Sequence, residues 1–387
     1  FPSAEPAPKE ADLEAIEERL DRFDAFLTFV LVHAGGDTEE RQARRELLAV
    51  LLDTREELLA VLEEPPEGPD PVRAIFLSTW TELAPVLRRM GGSLPGEESL
   101  RYLSFVAAAD ALAALDRLGP GVGLEISAAG LRRLARTLVP SGTTDPLAFD
   151  ATVDPALREV FGFGEPLEPP PAEEGDGARH LRIGWTLVQR TVSDAERERL
   201  RRWVPGAAEL DEYLPLVQAV LEEAAARALS KTPVEPRFEA VYGWLVPAAA
   251  WKESCWRQLV LRDGRPVVLR SSAGAVGILQ VNARVWRGFY DVKALERDLS
   301  YNARAGAEIL AHYLMDYAVP ADEHGAGGSL DAAARATYAA YNGGPRALRR
   351  WRNAAAPAPL RRIDEAFWRD YLAVKRDGMP DLTTCWG

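Results

Sequence analysis

The chain has 387 residues, 47% of them apolar and 27% charged, an ordinary globular composition spread over too much length for one core, so two or three domains are expected. Its net charge of −13 argues against nucleic acid as the partner of the whole chain. No apolar run approaches the about 20 residues that a membrane-spanning helix needs.

Residues 12–34 repeat apolar side chains at helical intervals (Leu13, Ile16, Leu20, Phe23, Leu27, Val30), and Gly35-Gly36 ends that helix. Asp37 or Thr38 can cap a second, carrying Leu47, Leu51, Leu58 and Leu62 up to Pro65-Pro66. A third runs from about Pro71, through Ile75, Leu83 and Leu87, to Gly91-Gly92. A fourth covers 100–118, with shorter helical pieces near 127–138 and 154–161. No fixed-period repeat emerges, so residues 1–164 are expected to form a helical bundle rather than a repeat array.

Residues 165–178 are a linker by composition, prolines stiffening one half and glycines and acids solvating the other. A connecting segment, 179–236, follows: a short strand within 181–192, a charged helix capped by Asp194 and reaching Trp203, and an amphipathic helix from Asp211 through Leu214, Val217, Leu221 and Ala224. Charge divides along this line. From Arg237 to Gly387 there are 21 basic and 16 acidic residues, a net of +5, against −18 for the remainder. A mildly basic region suits an anionic polymer and equally suits an ordinary solvated surface.

The last part, 237–387, carries the chemistry. Phe238, Val241, Trp244, Leu245, Ala248 and Ala249 form an apolar helical face leading into Trp251-Lys252-Glu253-Ser254-Cys255-Trp256. Helical phase carries Glu253 to or near that buried side, between two tryptophans. Desolvation disfavours a carboxylate, so an acid in such a place keeps its proton to higher pH and can act as a proton donor. A lone glutamate at the end of a helix is more often a surface residue, and two later stretches change the balance. In Ser271-Ser272-Ala273-Gly274-Ala275-Val276-Gly277-Ile278-Leu279-Gln280 the glycines allow a close turn, while Ser271 and Gln280 offer groups suited to a sugar hydroxyl or an N-acetyl group. In Tyr338-Ala339-Ala340-Tyr341-Asn342-Gly343-Gly344-Pro345 an Ala-rich helix ends on polar residues.

These three stretches, in this order, resemble the lytic transglycosylases of the soluble-lytic-transglycosylase (SLT) type, peptidoglycan-cleaving relatives of goose-type lysozyme; the resemblance covers residues 237–380. Ser271, Gly274, Ala275, Gly277 and Gln280 match the family's Gly-rich pattern, with Ile278-Leu279 standing for its Leu-Met. Residues 262–270 form an extra loop, read as a short hairpin around Asp263-Gly264. The resemblance implies a mainly α fold, a helical N-terminal bundle followed by an α-rich lysozyme-like catalytic domain. It makes Glu253 the catalytic residue and Ser271, Gln280, Tyr338, Tyr341 and Asn342 substrate-binding residues, with the Tyr341 hydroxyl close to Glu253. Asn302 matches a family asparagine that precedes a long helix and is read as structural. The implied reaction cleaves the β-1,4 bond between N-acetylmuramic acid and N-acetylglucosamine and leaves 1,6-anhydromuramoyl ends, with one glutamate as acid and base.

No second catalytic carboxylate stands out, Asp263, Asp291 and Asp298 being candidates by type alone. No cofactor is expected, and neither the two cysteines nor His33, His180, His312 and His324 show metal-ligand spacing. Cys255 and Cys385 can pair in an oxidising compartment or remain buried thiols. The chain starts at Phe1 without a charged start or signal core, as expected of an exported form whose secretory segment has been removed, and the periplasm or cell envelope is the expected location. Peptidoglycan strands are the expected partner, with the N-terminal domain available to cell-envelope proteins. Two alternatives stay open: a hydrolytic muramidase on the same fold, and an inactive wall-binding or assembly protein.

Overall fold

The computed structural model describes residues 38–63, 68–91, 127, 153–168, 192–232 and 234–386. The expected helices over 12–34 and 100–118, the piece 127–138 apart from Ser127, the linker from 169 on, and the strand within 181–192 apart from Val192 lie outside these residues. Two compact units are present. In the first, helices α1 (Thr38–Glu63) and α2 (Val72–Gly91) pack together. Their shared core is Ala43, Leu47, Val86, Leu87 and Met90, with Trp80, Leu83 and Phe161 against it. Phe161 directly follows the short helix α3 (Pro155–Val160). The buried stripe of α1 is Ala43, Leu47, Leu48, Val50 and Leu52, while the expected Leu51 and Leu58 are only half-buried.

Among the described residues the second unit comprises 153–155, 163–168, 192–232 and 234–386, and from Val192 on it includes part of the stretch expected as a connecting segment. Helix α4 (Asp194–Leu200) is capped by Ser193, not by Asp194. The Ser193 hydroxyl accepts from the Glu196 N–H, and the Glu196 carboxylate accepts from the Ser193 N–H, a reciprocal pairing that satisfies two free donors at once. The helix stops at Leu200, short of Trp203, whose ring instead takes the Arg199 guanidinium on its face at 3.5 Å. Helix α5 (Leu210–Lys231) buries the expected Leu214, Val217, Leu221 and Ala224.

Helix α6 (Pro236–Ser254) is the axis of this unit. It starts on a proline, where the missing N–H costs nothing, and is apolar on nearly every face. Phe238, Tyr242, Leu245, Val246, Ala248, Ala249 and Ala250 are wholly buried, each large apolar side chain contributing roughly 1.5–3 kcal/mol by leaving water. A hairpin follows, β1 (Leu259–Arg262) pairing antiparallel with β2 (Arg265–Val268) around Asp263-Gly264 as expected. A second two-stranded ladder joins β3 (Ala275–Val276) to β4 (Val281–Asn282), in register Val276 to Val281.

Helices α7 (Val292–Arg297) and α8 (Leu299–His312) come next, and α8 passes into a π-helical turn, Tyr313–Ala318. Then come α9 (Glu323–Ala326), α10 (Ala332–Gly343), a 3₁₀ segment (Pro345–Arg352), α11 (Ala358–Asp377) and α12 (Thr383–Trp386). Helices α5, α8, α10 and α11 all pack on α6. The described structure is mainly helical, as expected.

Candidate active site

Glu253 occupies the penultimate position of α6. The helix ends one residue later because Cys255 and Trp256 both adopt left-handed backbone angles, φ 55 and 59. Cys255 is thus the C-cap, its N–H donating to the Trp251 carbonyl. Its sulfur is bonded to Cys385, with the two Cα atoms 5.9 Å apart. Two tryptophans flank the glutamate in sequence but serve the core. Trp251 and Trp256 are fully buried and meet edge to face at 5.6 Å; the indole N–H of Trp251 donates to Thr384 and that of Trp256 to the Pro247 carbonyl.

The partner of Glu253 is Tyr338. Its hydroxyl donates to Glu253 Oε1 at 2.7 Å. The Tyr338 ring is 1% exposed and stacks flat on Phe367 of α11, centroids 4.0 Å apart and planes 6° from parallel, so the hydroxyl is held in place. Glu253 itself keeps some solvent exposure. Burial pushes its carboxyl above the ordinary carboxylate range; the Tyr338 hydrogen bond and the nearby charges of Lys252 and Arg350 pull against that push without cancelling it. Burial and the Glu253 charge together hold the hydroxyls of Tyr338 and Tyr341 protonated far above neutral pH.

Tyr341 lies one turn further along α10, and its hydroxyl donates at 2.6 Å to the Leu279 carbonyl, not to Glu253. The two tyrosines stand three residues apart on one helical face and both interact with Glu253, and it is Tyr338 that makes the hydrogen bond to the carboxyl. Tyr341 is close enough to feel the Glu253 charge and spends its hydroxyl on the Gly-rich turn.

That turn is held on every side. The Gln258 amide oxygen accepts from the Ile278 N–H, and the Asn302 side-chain oxygen accepts from the Leu279 N–H. Asn302 also donates to the carbonyls of Val276 and Leu295, and the Ser254 hydroxyl donates to the Ile278 carbonyl at 2.6 Å. Asn302 is fully buried and does the structural work expected of it, but from the first turn of α8 rather than ahead of that helix. Gly277, at φ 75, leaves the room this clamp requires: a Cβ there would lie 2.4 Å from Asn302 Nδ2 and 2.5 Å from Gln258 Oε1.

Ser271 and Gln280 both take part in the turn. The Ser271 hydroxyl oxygen accepts from the Ala275 N–H at 3.1 Å. The Gln280 amide nitrogen donates to the carbonyls of Gly277 and Leu269. Asn342 accepts from Arg350 through its side-chain oxygen at 2.9 Å. The three carboxylates that were candidates by type alone lie elsewhere in the fold. Asp291 caps α7, Asp298 caps α8 and pairs with Arg201, and Asp263 sits at the exposed hairpin tip. Sequence reasoning missed Gln258 and the Arg350–Asp364 pair, since no local spacing links the residue before β1 to the Gly-rich turn, or a 3₁₀ segment to the second turn of α11.

Residues 241–360 match the transglycosylase SLT domain family. The chain carries an SLT-type transglycosylase domain. Glu253, the Gly-rich turn and the two tyrosines of α10 all fall inside the matched residues, whereas Asp364 and the disulfide partner Cys385 lie beyond them. No curated protein and no solved structure matches the chain. An SLT domain carries a peptidoglycan-degrading transglycosylase role in general terms, with peptidoglycan as the substrate class.

Proposed function

We propose that the protein cleaves the β-1,4 bond between N-acetylmuramic acid and N-acetylglucosamine, with Glu253 as both acid and base and 1,6-anhydromuramoyl ends as product. The observation that supports this reading is the Glu253 carboxyl, raised by burial and bonded to the Tyr338 hydroxyl within an SLT domain. A proton held above the usual carboxylate range is available to the glycosidic oxygen as the C1–O bond breaks and positive charge grows on the muramic ring. The carboxylate so formed keeps the Tyr338 hydrogen bond. It then takes the proton from the C6 hydroxyl, whose oxygen closes on C1, and the acid is restored with no water consumed. Ser271, Gln280 and Asn342 are proposed to meet the sugar with the polar capacity that the turn and Arg350 do not use. The Cys255–Cys385 bond supports an oxidising location such as the periplasm or cell envelope.

Mass analysis of digested peptidoglycan decides the product: anhydro ends are one water lighter than the reducing muramic ends a muramidase leaves. Glu253→Gln in the same assay is expected to lower turnover by about 10²–10⁴-fold or more while the circular dichroism spectrum is kept. Reducing ends from the native protein would assign a hydrolase instead, and full turnover in a folded Gln variant would remove Glu253 from the mechanism.

A further inference from the structure

Arg350 stands where the expected site residues converge, yet nothing in the proposed reaction uses it. Its Nε donates to Asp364 Oδ2 at 3.0 Å, and its Nη2 donates to Asp364 Oδ1 at 2.7 Å and to Asn342 Oδ1 at 2.9 Å. The side chains of Arg350 and Asp364 are 8% and 4% exposed. Gly343 makes way for the guanidinium, since a Cβ there would lie 2.6 Å from Nη1. A buried ion pair is a poor stability device, because desolvation consumes most of its attraction, so its position matters more than its strength. Its position is set by Asn342, which lies one turn beyond Tyr338 on α10, and from there Arg350 acts electrostatically on both Glu253 and Tyr338.

We infer that Arg350 is a positioning residue which, aimed by Asp364 and Asn342, presents a fixed positive charge to the Glu253–Tyr338 pair and sets how readily Glu253 releases and regains its proton. The charged and titratable groups around that pair are few. Tyr338 and Tyr341 face Glu253 from α10, Arg350 from the 3₁₀ segment, and Lys252 is its chain neighbour. From α11, Asp364 acts on Tyr338 and holds Arg350, and Asp370 stands near Lys252. Asp364 offsets part of the Arg350 charge through the direct ion pair and acts on Tyr338 in the opposite sense to Arg350.

This inference rests on Glu253 as the proton donor, and its test is chosen to stand apart from that reading. The full chain, labelled with δ-¹³C glutamate, is titrated by NMR, the Glu253 carboxyl signal being the one missing from Glu253→Gln. Arg350→Gln is expected to move the Glu253 midpoint to higher pH and Asp364→Asn to lower pH, with Arg350→Lys near the native value. The alkaline limb of the turnover profile is expected to move the same way in each variant. A merely structural pair would lower stability and turnover without opposite shifts. Midpoints that stay still, or that move in one direction for both variants, overturn the inference. Should Arg350→Gln fail to fold, the near-isosteric Asp364→Asn judges alone, and a midpoint that does not fall rejects it. The turnover of Glu253→Gln separately decides whether the glutamate is the acid.

Discussion

Glu253 carries a cost that follows from its environment. Its carboxyl titrates higher in the folded protein than the 4.5 expected of a free glutamate, so the folded state binds more protons between those two values. Stability is therefore unpenalised below about pH 4.5 and falls as pH rises through the folded value. Glu253→Gln removes that penalty while preserving an acceptor for Tyr338. The variant is expected to melt higher than the native protein at pH 7, and the difference should vanish by pH 4; a gap that persists at pH 4 would point to another cause. The two tyrosines of α10 separate in the same way. Tyr338→Phe removes a hydrogen bond to a charged group, worth about 1.5–3 kcal/mol, and should cost about 10- to 100-fold in kcat while moving the alkaline limb upward. Tyr341→Phe strands the carbonyl of buried Leu279 and should instead lower stability by about 1–3 kcal/mol, read by denaturant unfolding. The reverse pattern would return the catalytic contact to Tyr341.

At the level of elements, the Gly-rich turn shows why two glycines in one motif are not equivalent. Gly277 and Gly274 both have positive φ, 75 and 81. A Cβ on Gly274 meets only the flexible Arg284 side chain at 3.8 Å, whereas one on Gly277 collides with two hydrogen-bonded amides that have nowhere to go. Gly274→Ala is expected to cost about 1–2 kcal/mol from backbone strain alone. Gly277→Ala adds overpacking and should cost at least about 2 kcal/mol more, with activity lost through displacement of the turn that Tyr341 and Ser254 grip. Equal midpoints in denaturant for the two variants would contradict the clamp.

Across the second unit, one covalent link ties the segment around Cys385 to the end of α6. The Cys255–Cys385 bond closes 130 residues, which chain-entropy arguments value at about 4–5 kcal/mol. The Trp251–Thr384 hydrogen bond ties the same two segments without a covalent bond. Reduction is expected to lower the thermal midpoint markedly and to leave turnover at 25 °C nearly unchanged, because Glu253 is held by α6 and Tyr338 rather than by the sulfur. Calorimetry with and without reductant checks the first part, and loss of turnover in the reduced, folded protein would contradict the second.

The sequence by itself determined the class of the fold, the helix leading to Glu253 and the hairpin at Asp263-Gly264, because apolar period and turn chemistry act over short distances; it left the two cysteines open between a bond and free thiols, and the structure joins them. It pointed to the SLT family through three motifs spaced along about 90 residues. Tertiary structure alone decided which tyrosine makes the hydrogen bond to the glutamate, since one helical turn separates them and only packing tells them apart. It alone decided that Ser271 and Gln280 brace the turn, that Ser193 rather than Asp194 starts α4, and that Arg350 and Asp364 belong to the site. Those contacts join residues whose separation in the chain carries no periodic signal, and their geometry exists only once α6, α10 and α11 have packed.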